Sequence, residues 1–112
     1  MKNNLDEREM RIVCECLRAS AYGPFFIHKN TDDPYWEIHT LFGLYIDELR
    51  EIADRCPDID MNNEDVKLAI NNSLNHLLGY PHYCDESTWF KYISVPPEEV
   101  DRIFDKWRGE DI

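Results

Sequence analysis

The chain has 112 residues, with 23 acidic side chains against 12 basic ones and a formal net charge of −11 at pH 7. That balance argues against direct binding of nucleic acid, whose phosphates it would repel, and against an anionic membrane surface. A hydrophobic fraction of 43%, with three Trp, six Tyr and five Phe, excludes a disordered acidic tail and suffices for one packed acidic helical domain spanning 1–112.

Leu5 to Ala21 reads as a helix. Met10, Val13 and Leu17 share one stripe, which Ile12, Cys16 and Ala19 widen, and Gly23-Pro24 stops it. Phe25-Phe26-Ile27 is a short apolar segment with an extended conformation as one option, and His28 to Pro34 is a polar loop with turn chemistry. Over 35–42 a strand alternation (Trp36, Ile38, Thr40) competes with a helical spacing (Ile38, Leu41, Phe42). The glycine at 43 favours the helix. Ile46 to Cys56 is amphipathic, with Ile46, Leu49, Ile52 and Ala53 inward, and Pro57 ends it.

Asn63 to Leu78 is the clearest element. Val66, Ile70, Leu74, Leu77 and Leu78 form its apolar face, Asn62 is the expected N-cap, and Gly79 with Pro81 beyond marks its end. From 85 to 94, the spacing of Trp89, Phe90 and Ile93 predicts a short helix, with a strand over 89–95 as the alternative. A last helix starts near Pro97, buries Val100, Ile103, Phe104 and Trp107, and closes at Gly109. The fold class expected is therefore all-α, a single-domain bundle of five to six short helices, with 25–27 left open as one extended segment.

The four cysteines are Cys14, Cys16, Cys56 and Cys84. No secretory signal is visible at the N-terminus, and no apolar run approaches the ~20 residues of a membrane span. A cytoplasmic protein with reduced thiols is the expectation.

Charge is unevenly placed. Residues 31–65 carry eleven acids against Arg50 and Arg55, a net −9, whereas 1–22 and 66–96 each balance to zero. A field confined to one face is a reason to expect a basic partner. The leading expectation is a protein-binding module, most concretely an immunity- or antitoxin-type inhibitor docking on a basic protein such as a nuclease toxin. Asp47, Glu48, Glu51, Asp54, Asp58, Asp60, Glu64 and Asp65 would make the face, with Tyr45 or Tyr35 as an aromatic anchor. An ordinary solvated acidic surface is the plain alternative.

Other constellations are incomplete. Asp58 to Glu64 opens like a calcium loop, but Asn63 stands where glycine is needed and Ala69 where a bidentate glutamate is needed, so no metal site is expected. Cys84 precedes a helix start near His76 and His82, yet Asp85 and Glu86 oppose a reactive thiolate there. No cysteine or histidine pair has zinc spacing, and no cofactor is expected. Asn71, Asn72, Asn75 and His76 are an unusual polar set on one helix. They serve loop backbone in one reading, or line a catalytic cleft with His39 and His82 in the other. Hence the alternative function is a small enzyme using His39, Asn72, His82 and Cys84, and a further one is a non-catalytic subunit of a larger assembly with an apolar patch on 97–108 or around Trp36.

The segment Trp36-Glu37-Ile38-His39-Thr40-Leu41-Phe42-Gly43-Leu44, with Ala69-Ile70-Asn71-Asn72, Leu77-Leu78-Gly79-Tyr80-Pro81-His82, Trp89 and Ile93-Ser94, is similar to a group of short acidic bacterial proteins with no assigned activity. The resemblance covers most of 23–108 and implies a bacterial, cytoplasmic, single-domain protein with an inserted loop at 28–35. It transfers no functional residue.

Overall fold

A computed structural model describes residues 5–79 and 84–109, whose backbone folds into α1 (Glu7–Tyr22), α2 (Trp36–Phe42), α3 (Ile46–Arg55), α4 (Glu64–Gly79), α5 (Glu86–Tyr92) and α6 (Pro97–Arg108). No strand occurs among the described residues, and no helix there is long and apolar enough to cross a membrane. The 25–27 segment is not a strand: Phe25 and Phe26 lie in a turn and bend and are buried, and Ile27 follows without regular structure.

Each helix start has a local cause. The Asp6 carboxylate accepts the Glu9 amide at 2.7 Å, and Glu9 Oε1 accepts the Asp6 amide at 2.9 Å, a reciprocal capping box. Asp85 accepts the Thr88 amide at 2.8 Å to open α5, and Pro97 opens α6. At α4 the capping side chain is Asn63, not Asn62: its Oδ1 accepts the amides of Asp65 and Val66 at 2.9 and 3.1 Å. The ends of α2 and α6 are set by Gly43 (φ 71°) and Gly109 (φ 79°), left-handed positions that a side chain would strain. Gly23 is needed for a different reason. A Cβ there would stand 2.6 Å from the Ala19 carbonyl oxygen that its own amide meets.

The core sits around α1, which packs on α3, α4 and α5, while α4 also takes α2, α3 and α6. Met10, Val13 and Leu17 of α1 are buried with Leu49 and Ala53 of α3 and Ile70 and Leu74 of α4. Each large apolar side chain so enclosed contributes about 1.5–3 kcal/mol. Where α1 meets α4 the contact is small and polar: Ser20 Oγ and Ser73 Oγ lie 2.6 Å apart in the interior, and Ser73 Oγ donates to the Cys16 carbonyl at 3.0 Å. Two small hydroxylated residues satisfy each other there without holding the helices apart.

Three expectations change. Cys14 and Cys56 form a disulfide joining α1 to the end of α3, with Cα atoms 5.5 Å apart, whereas all four cysteines were expected as thiols. Spacing along the sequence does not reveal that packing α1 on α3 brings these two together. Phe90 is 46% exposed, not part of the α5 stripe, because Trp89 and Ile93 occupy the inner face. The α6 stripe is covered by the core, so no apolar patch forms from Val100, Ile103 or Phe104.

Candidate functional site

The acidic third of the chain builds a groove where α3, the connector after it and the start of α4 come together. Glu48, Glu51, Asp58, Asp60 and Asp65 line it, over a floor containing Ile52, Ile59 and Val66, around a volume of about 300 Å³. Glu48 and Glu51 stand three apart on α3 and so lie on neighbouring positions of one face. Arg55 is the one cation among the lining residues, and it forms no ion pair among the described residues. Glu48 caps α3 by accepting the Tyr45 amide at 2.8 Å, and Asp60 accepts the Asn62 amide at 2.9 Å. Neither carboxylate meets a lysine or arginine among the described residues.

The remaining predicted face residues lie around this groove rather than in it. Asp47 is exposed on α3. Asp54 accepts the Tyr22 hydroxyl at 2.9 and 3.1 Å, which pushes that phenol above its ordinary value. Glu64 stands 3.9 Å from Lys67, the only ion pair formed by any of the eight acids among the described residues. Tyr45 is 69% exposed at the α3 N-terminus with its ring edge on His39, 5.2 Å between centroids. Its exposure fits an interface anchor; its neighbours do not enclose it.

Between α1 and α6, by contrast, two carboxylates are neutralised within the fold. Glu9 is 2% exposed and is met by Lys106 Nζ at 2.7 Å and Arg102 Nη2 at 3.0 Å. Burial would raise its carboxyl, but Lys106, the Asp6 amide and Arg102 hold it down at about 2. Glu99, between Arg102 and Arg8, is likewise held at about 2. The pairing of these distant carboxylates sharpens the contrast with the unpaired groove.

Of the polar set on α4, two residues serve backbone and Asn75 is exposed. Asn72 Nδ2 donates to the Phe42 carbonyl at 2.9 Å, and His76 Nε2 lies 3.2 Å from the Leu41 carbonyl, so both close the C-terminal end of α2. Asn71 Nδ2 donates to Asn72 Oδ1 at 3.2 Å and holds that amide in place. His39 turns towards Asp33, with Nδ1 3.4 Å from its carboxylate. Cys84 lies against the Pro24 carbonyl, Sγ to O 3.9 Å, and burial and Asp85 push its thiol above the ordinary range. His82 lies outside the described residues. These placements give Asn72 a structural task and set His39 and Cys84 against different partners.

The calcium-like connector spends its oxygens on turns: Asp60 and Asn63 accept backbone amides. No group of three or more His, Cys, Asp or Glu among the described residues is placed to hold a metal ion. No family model, curated protein or solved structure matches the chain.

Sequence reasoning missed one constellation. Arg50 lies over the ring of Tyr22 at 4.7 Å and that of Tyr35 at 5.2 Å, and its Nε donates to the Ala21 carbonyl at 3.0 Å. The signal available in the sequence was a lone arginine among Asp47, Glu48, Glu51 and Asp54, which reads as ordinary charge balance.

Proposed function

We propose that this protein is a binding module that docks its α3–α4 acidic groove on a basic patch of another protein, most concretely as an inhibitor of immunity or antitoxin type acting on a toxin. The observation supporting this reading is that Glu48, Glu51, Asp58, Asp60 and Asp65 line one groove and none of them forms an ion pair among the described residues. Five like charges crowded in this way repel one another at short range, and a cation-rich surface relieves that repulsion. The field also speeds encounter with such a surface. A nuclease cleft, built to hold phosphates, presents that charge.

The Cys14–Cys56 disulfide is the kind of bond an oxidising compartment keeps, and it weighs against the cytoplasmic placement expected from the sequence.

The test is capture of partners from source-cell lysate at low salt, followed by washes of rising ionic strength. The reading expects a basic protein that is released as the salt rises, because exposed charges are screened within about 8 Å at physiological ionic strength. A partner retained undiminished at high salt, or an eluate without any basic protein, contradicts it.

A further inference from the structure

The arginine that contacts these two rings lines a second cavity, separate from the acidic groove. It opens at the end of α1 with a volume of about 600 Å³, and its walls include Tyr22, Pro24, Ile27, Lys29, Tyr35 and Arg50. That volume falls within the range of small-molecule sites, as does a mainly apolar wall carrying a few polar groups. In a chain with 23 acidic residues, no carboxylate among the described residues lines this cavity, while two cations do.

Arg50 is held in a manner suited to a ligand. Its guanidinium lies against both tyrosine rings, and its Nε is committed to the Ala21 carbonyl. Its terminal nitrogens form no hydrogen bond or ion pair among the described residues. Asp54, one turn along α3 from Arg50, accepts the Tyr22 hydroxyl. Lys29 is also without an ion pair among the described residues. A guanidinium already restrained by such contacts loses little entropy on accepting a carboxylate, and its fork matches both oxygens. Pro24, Ile27 and the Tyr35 ring supply an apolar wall for a flat body attached to that carboxylate.

We propose that this cavity binds a small aromatic carboxylate, with Arg50 engaging the carboxylate, Lys29 adding charge at the mouth, and the apolar wall taking the ring.

The experiment is titration of phenylacetate into the 15N-labelled protein to millimolar concentration, followed by NMR. Saturable shifts are expected for the backbone amides of residues 22, 23 and 25–29 and for Arg50 Nε–H, with little response to the neutral isostere phenylacetamide. Arg50→Gln is expected to weaken binding about tenfold or more, as loss of a hydrogen-bonded charge implies. Lys29→Gln, at an exposed position that leaves the fold untouched, is expected to weaken it about threefold. Four results overturn the proposal: no saturable shift with phenylacetate, equal shifts from phenylacetamide, unchanged affinity in both variants, or tighter saturation of the same signals by inorganic phosphate. If Arg50→Gln unfolds, Lys29→Gln and the isostere comparison still decide.

Discussion

Asn72 on α4 donates its side-chain amide to the Phe42 carbonyl, 2.9 Å away, where α2 ends at Gly43. Left-handed Gly43 turns the chain away from the helix and leaves the last carbonyls of α2 without intrahelical partners. Asn72→Ala therefore removes a half-buried partner from one of them. A loss of about 1–2 kcal/mol in urea unfolding is expected, with no change in binding through the acidic groove. An intact stability curve together with lost binding would instead place Asn72 in a functional cleft.

The cysteines divide into three environments, and thiol titration separates them. Cys84, half-buried beside Asp85, is expected to react slowly in the native protein. Cys16, fully buried on α1, is held protonated by burial and reacts only after denaturation. Cys14 and Cys56 become reactive only after reduction. Breaking that bond, which spans a sequence separation of 42, is expected to lower stability by roughly 4 kcal/mol, read as a drop in the thermal midpoint on adding reductant. Four reactive thiols in denaturant without reductant would contradict the pairing.

Acid should loosen the contact of α1 with α6 early. Glu9 and Glu99 both have carboxyls held at about 2 in the fold against an ordinary 4.5. Folded values below unfolded ones mean that the stabilisation is complete above about 4.5 and is lost as pH falls from there towards 2. For buried Glu9 the linkage amounts to roughly 3 kcal/mol. Glu9→Gln is expected to lower stability by about that much at pH 7 and to flatten its dependence between pH 4.5 and 2, measured by denaturation across that range. An unchanged slope would show that the pair with Lys106 and Arg102 contributes nothing.

Much of the fold was legible because it rests on local rules. Pro97, Gly43 and Gly109 mark helix ends through chemistry confined to one turn, and the i, i+3, i+4 spacing of Ile38, Leu41 and Phe42 settles α2 as helix. Adjacent asparagines blurred the start of α4, since Asn62 and Asn63 are chemically equal as caps and the backbone selects the second. What stayed hidden depends on residues far apart in the chain. The Cys14–Cys56 bond, the Ser20–Ser73 contact and the tyrosines flanking Arg50 follow from how α1 lies on α3 and α4. The charge imbalance of 31–65 was visible as a number, but the meeting of five of its acids in one groove depends on the turn after α3 bringing Asp58 and Asp60 back beside Glu48 and Glu51.

That groove is tested most directly by reversing its charge. The quadruple variant Glu48→Lys, Glu51→Lys, Asp58→Lys and Asp60→Lys, checked by circular dichroism for retained helix, is compared with the unmodified protein in low-salt capture quantified by mass spectrometry. Loss of the salt-released basic partner from the variant, with its retention by the unmodified protein, is the predicted result. Equal capture of that partner by both proteins would contradict a docking role for these carboxylates.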